Sequence, residues 1–117
     1  MKEISLPAMA KVTAPNPVSI VCTQRTDGGT NLATVSWWTY LSYDPNMIAY
    51  AMAKTSYSGE LVRANKKVVL TIPSAQIVSA VLGCGSTTGR NTNKIEKFGI
   101  GIRSVKFAML SVLPVAE

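Results

Sequence analysis

The tetrapeptide Thr26-Asp27-Gly28-Gly29 stands between two runs rich in β-forming residues, and it constrains the fold more than any other feature. Asp and Gly tolerate the backbone of a tight reversal, so the runs on either side are read as an antiparallel hairpin. Val18, Ile20, Val21 and Cys22 make Pro17–Arg25 the first strand, and Thr30–Trp37 follows as the second. Trp37 to Asp44 is aromatic and irregular, and Pro45 stops any helix begun there. Asn46 to Lys54 is apolar on both faces. That pattern predicts a central strand covered on both sides, although periodicity alone leaves a short helix open.

Helical signals come next. Thr55-Ser56 supplies an N-cap for a helix running to about Ala64, with Glu60 in its early turns and Leu61 and Val62 facing inward. Lys66 to Ile72 is β-branched and reads as a strand ended by Pro73. Ser74 caps a second helix, with Ile77, Val78, Val81 and Leu82 at helical spacing, and Gly83 and Gly85 are expected to stop it. Ser86 to Asn93 is loop, and a short helix covers Thr92 to Phe98 before Gly99 and Gly101. From Ser104 to Leu113, the residues Val105, Phe107, Met109, Ser111 and Leu113 alternate as in a strand. Hairpin-linked strands with a few inserted helices predict a mainly β fold, a barrel with α insertions. The 117 residues suit one domain.

Composition narrows the function. A hydrophobic fraction of 47% with 15% charged residues suits a chain that buries a core. Its apolar runs are too short to span a membrane, and Met1-Lys2-Glu3 followed by Pro7 is not a signal peptide, so a cytoplasmic location is expected. Cys22 and Cys84 belong to no CxxC pair and the chain has no histidine, which argues against zinc and against serine-type triads. Both cysteines are expected as free thiols in a reducing compartment. The net charge of +6 is dispersed, with one concentration through Arg90, Lys94 and Lys97. That spread fits a phosphate-bearing small molecule better than a polyanion, and no RNP-like or helix-turn-helix signature points to nucleic acid.

Two separated blocks carry a resemblance. The first comprises Asn16-Pro17-Val18, the stretch Asn31-Leu-Ala-Thr-Val-Ser36, Asp44-Pro45, and Lys54-Thr55-Ser56-Tyr57-Ser58. The second is Cys84-Gly85-Ser86-Thr87-Thr88-Gly89-Arg90-Asn91-Thr92-Asn93-Lys94. In this order they resemble the flavin reductase-like family, its flavoredoxin-type members above all, from about Met9 to the end of the chain. The resemblance implies an FMN-binding split β-barrel. It also implies hydride transfer from NADH or NADPH to the bound flavin, and a homodimer. Asn93 stands where that family usually has Asp, which removes an orienting ion pair for Lys94. The tail Val112-Leu113-Pro114-Val115-Ala116-Glu117 resembles a segment that leads into further strands in relatives. A short or truncated barrel is therefore expected, with strand edges that invite another chain.

The residues themselves fit such a ligand. A flat ring needs backbone donors and acceptors on a strand with small side chains, which Ala33, Thr34 and Ser36 allow. A phosphate needs charge and free N–H groups, and Thr55, Ser56 and Ser58 cluster at a helix start with Lys54 beside them. The expected cofactor-binding set is Asn31, Ala33, Thr34, Val35, Ser36, Lys54, Thr55, Ser56, Ser58, Arg90 and Lys94, with no catalytic acid or base and no metal. Each has a plainer reading as well: Asn31 as a turn residue, Ser36 as a strand contact, Thr55 and Ser56 as helix caps, Lys54 as a solvated strand end. Trp37 and Trp38 suit ring, core or dimer packing equally. Two alternatives remain open beside a flavin reductase. One is an FMN-binding electron carrier without efficient nicotinamide turnover. The other is a flavin-free scaffold or nucleic-acid-binding partner.

Overall fold

The computed structural model describes residues 3–103, so the strand expected over Ser104–Leu113 and the tail segment lie outside the described residues. The hairpin is formed as read. Strand β1 (Ser19–Gln24) pairs antiparallel with β2 (Thr30–Val35), from Ser19 opposite Val35 to Gln24 opposite Thr30. The turn closes through Arg25 N–H to Gly29 O at 2.8 Å and Gly28 N–H to Arg25 O at 3.1 Å. Gly28 has φ +84°, the left-handed backbone for which this turn selects glycine. A short strand, β5 (Val69–Thr71), pairs antiparallel with the other side of β1, giving the sheet order β2-β1-β5.

Trp38–Tyr43 is not irregular. It forms β3, paired antiparallel with β4 (Asn46–Tyr50) around a cis Asp44–Pro45 peptide. A shift of register between Tyr40 and Ser42 breaks the alternation that would have announced β3. The expected central strand over Asn46–Lys54 is also corrected. Among the described residues β4 is half of a two-stranded sheet, with Ile48 44% exposed. Its apolar residues on both faces therefore mark a ribbon rather than a doubly covered strand.

Helix α1 (Leu6–Val12) has Pro7 in its first turn and buries no residue. Helix α2 (Tyr57–Asn65) starts where the sequence placed it: the Ser56 hydroxyl accepts from Gly59 N–H at 3.0 Å and donates to Ala53 O at 2.8 Å. It ends on Lys66, which is left-handed at φ 52° with its N–H on Val62 O. Lys66 therefore closes a helix instead of opening a strand. After a 3₁₀ turn over Ala75–Ile77, α3 runs Val78–Ser86, straight through the two glycines expected to end it. Their cause is packing. A Cβ on Gly83 would fall 2.5 Å from Cζ of Phe98, and one on Gly85 would fall 3.3 Å from Cβ of Thr34. Helix α4 (Lys94–Phe98) is capped by the Asn93 side chain on Ile95 and Glu96 N–H and ends at Gly99, φ +61°.

The core sits on one face of the three-stranded sheet, where Ile20 and Leu32 meet Val81 and Cys84, with Cys22, Ile95 and Phe98 packed around them. The opposite face carries Asn31, whose Nδ2 reaches Ser58 in α2 at 2.8 Å. Helices thus flank both faces of the hairpin, and among the described residues β2 is left at the edge.

Candidate functional site

An open cleft of about 450 Å³ runs along that edge, lined on one side by Ala33, Thr34 and Val35. Successive strand residues point to opposite faces, so three in a row can line one cleft only if it follows the strand's edge. There, backbone N–H and C=O groups are available to a ligand. The other wall is the stretch from Ala51 to Ala53 and the start of α2, with Thr55, Ser56, Tyr57 and Ser58. The loop Ser86–Arg90 closes the end.

The first amides of α2 precede any intrahelical acceptor and lie at the positive end of the helix dipole. Ser56 has one N–H neighbour already, through its cap to Gly59. Gly59 belongs there because a Cβ would lie 2.5 Å from Ala53 O. The loop opposite is fixed by Gly89, whose carbonyl accepts from Arg25 Nη1 at 2.8 Å. A Cβ on Gly89 would overlap Asn31 Oδ1 and lie 2.9 Å from Asn31 Cγ. Arg90 lines the cleft and pairs with Glu60 at 2.7 Å. That pair holds the Glu60 carboxyl below the usual range and the Arg90 guanidinium above its own.

Lys94 is placed differently from an ordinary surface cation. It is 4% exposed, and its Nζ donates to Leu32 O at 2.7 Å and Cys84 O at 2.8 Å. Burial pushes its pKa down from the usual lysine value. The ammonium therefore ties α4 to the free edge of β2 and to the last turn of α3, whose carbonyls have no intrahelical donor. It also brings a positive charge to the cleft floor. Burial raises the Cys84 thiol, with the neighbouring Lys94 opposing; both cysteines are free.

Of the expected set, Ala33, Thr34, Val35, Thr55, Ser56, Ser58, Arg90 and Lys94 come together at this cleft. Three do not. Asn31 is buried behind it, bonded to Thr23 and Ser58, because its side chain alternates to the α2 face of the sheet. Ser36 lines a second hollow, of about 280 Å³, with Trp37, Trp38 and α1. Lys54 is exposed outside the lining, and its carbonyl accepts from Arg63 Nη2 at 2.6 Å. Sequence reasoning missed the stretch from Ala51 to Ala53, Tyr57, and the run from Cys84 to Gly89 as lining residues. The hydroxyl run Ser86-Thr87-Thr88 before Gly89 was the available signal.

No helix among the described residues is long and apolar enough to cross a membrane, and no cluster of metal-ligating side chains occurs there. An uncharacterized protein of Archaeoglobus fulgidus is 26% identical over 70 residues, covering 60% of this chain and 40% of its own length. Flavoredoxin of Desulfovibrio vulgaris (Miyazaki F) superposes with a TM-score of 0.70 at 23% identity, over 84% of this chain and 53% of that one. The FMN-binding protein of Thermus thermophilus, solved with 1-cyclohex-2-enone bound, gives 0.71 at 20% identity, over 82% and 53%. The chain thus spans about two fifths of the curated relative and half of the solved structures. Antiparallel strands with inserted helices, superposing on flavoredoxin, are a partial split barrel. With residues 10–114 matching its family description, the chain belongs to the flavin reductase like domain family.

Proposed function

We propose that the chain binds FMN in this cleft and acts as a flavin reductase-type oxidoreductase, with NADH or NADPH as the hydride donor. One observation carries the reading: a strand edge of small residues stands opposite a helix start and an arginine across about 450 Å³. That volume lies within the range of small-molecule and cofactor sites, roughly 300–1,000 Å³. The donor chemistry matches both ends of the ligand. The Ala33–Val35 backbone offers donors and acceptors to the polar rim of a flat ring. Thr55, Ser56, Ser58, the first amides of α2 and Arg90 offer hydrogen bonds and charge to a phosphate. Lys94, tied to the carbonyls of Leu32 and Cys84, adds a positive charge to the lining. Relatives that bear the names flavoredoxin and FMN-binding protein support the same ligand.

Bound there, the flavin supplies the electron-accepting ring for hydride chemistry. The protein's part is to hold and orient, through the residues above, and no side chain of the cleft need move a proton. The chain's two free thiols suit a reducing, cytoplasmic setting. A homodimer is supported by the apolar side chains that β3 and β4 leave exposed, Tyr40, Leu41, Tyr43 and Ile48 among them. Sedimentation at micromolar concentration tests this, and a monomer refutes it.

The direct experiment is an absorption spectrum of the purified protein followed by mass analysis of released cofactor. Flavin bands and FMN are expected. A chain that stays colourless with excess FMN and gains no thermal protection refutes the reading. NADH or NADPH consumption in step with flavin reduction distinguishes the reductase from a carrier that binds FMN without turnover.

A further inference from the structure

Glu60 lies outside the cleft lining, one turn into α2, yet it reaches the rim. Its Oε1 accepts from Nη2 of Arg90 at 2.7 Å, across 30 residues of sequence. The same guanidinium lies over the ring of Tyr57, with Cζ 5.3 Å from the centroid. Arg25 flanks that ring as well, at 5.8 Å, and is anchored in turn by Asp27 and Gly89. Arg90 is thus held at one corner by a carboxylate and along its plane by an aromatic face. A guanidinium has five N–H donors, and Glu60 takes one, on a terminal nitrogen.

Resting on the FMN reading of the cleft, we propose that Glu60 is a positioning residue for the ligand's phosphate: from outside the cleft it fixes Arg90 against Tyr57, leaving the remaining guanidinium donors for the phosphate oxygens. The side chain of Arg90 is 54% exposed, and a free arginine so placed would sample many rotamers. Ordering it on binding would weaken affinity; the ion pair orders it during folding instead. The Glu60 side chain is 43% exposed, so solvent weakens the carboxylate's own repulsion of the phosphate. Orientation and charge separate in Glu60→Gln, which keeps an acceptor for Arg90 and removes the negative charge.

The test is titration of native chain, Glu60→Ala and Glu60→Gln with FMN and with riboflavin, which lacks the phosphate. Glu60→Ala is expected to weaken FMN binding about tenfold, the order of one charge-assisted bond, with riboflavin affinity unmoved. Glu60→Gln is expected to stay within about threefold of native for FMN. A merely structural role for Glu60 would move both flavins together and overturns the inference, as does an unchanged FMN affinity in Glu60→Ala. A loss in Glu60→Gln equal to that in Glu60→Ala also overturns it. If the native chain binds neither flavin, or binds the two equally, the cleft or its phosphate end has been misread and the inference falls with it. If the native chain prefers FMN and Glu60→Ala keeps that preference, only the inference fails.

Discussion

Gly89→Ala probes how the loop that closes the cleft is seated. Gly89 is buried, its backbone is not left-handed, and its carbonyl is held by Arg25. An added methyl has no room, since it would overlap Asn31 Oδ1 and press on Tyr57 Cδ1 at 3.3 Å. Asn31 is 2% exposed and cannot yield without loosening its bonds to Thr23 Oγ1 at 3.2 Å and Ser58 Oγ at 2.8 Å. Its Oδ1 is already without a hydrogen-bond partner among the described residues, so no compensating bond is lost there. Two neutral hydrogen bonds at about 0.5–1.5 kcal/mol each, plus strain from overpacking of about 1–3 kcal/mol, give an expected loss of about 2–6 kcal/mol. For a domain of this size that is a fall in Tm of roughly 10–30 °C. Denaturant titration of Gly89→Ala beside Gly101→Ala measures it, because a Cβ on Gly101 meets nothing within 4 Å among the described residues. The control is expected within about 0.5 kcal/mol of native. Equal stability of the two variants would refute the packing argument. FMN affinity should fall in Gly89→Ala alone, since the displaced loop lines the cleft.

Lys94→Met removes the donor from Leu32 O and Cys84 O and is expected to cost about 1–3 kcal/mol, less than two full charge-assisted bonds because burial already penalises the ammonium. Since the folded pKa is depressed, the unfolded chain binds more protons just below the usual lysine value of 10.5. Native stability should therefore rise relative to Lys94→Met as pH climbs towards that value, and a constant gap by urea titration would refute it. Cys22 has the opposite sign: burial pushes its thiol up to about 11 from 9.0, so its stabilisation is complete below pH 9 and lost by about pH 11. The stability difference between native chain and Cys22→Ala should shrink across that window, and a pH-independent difference contradicts the assignment. Ser56→Ala deletes the α2 cap and should lower stability by about 1 kcal/mol and weaken FMN binding, whereas Lys54→Ala, outside the cleft, should leave binding unchanged. Calorimetry on both variants decides this pair.

Elements fixed by local chemistry were legible in the residues. Asp27-Gly28-Gly29 dictates a reversal, because few other residues accept the left-handed backbone the turn needs. Ser56 announces a helix start by offering a side-chain oxygen to an orphan amide. The hydroxyls at the start of α2 marked one wall of the cleft, and the block from Cys84 to Lys94 marked the loop that closes its end.

What depended on distant partners was not legible. Gly83 and Gly85 look like stops in a one-dimensional reading, yet the helix continues because Phe98 and Thr34 need the space. Strand β3 was hidden because its pairing skips a residue opposite β4. Alternation directs Asn31 to the α2 face, away from the cleft, and only the packed sheet reveals which face that is. Lys94 reads as one more surface charge until folding brings the carbonyl of Leu32, 62 residues away, to its ammonium. Local propensity thus set where the chain turns and where its helices begin. Which groups meet across the cleft was decided by packing, because those contacts join segments that share no sequence neighbourhood.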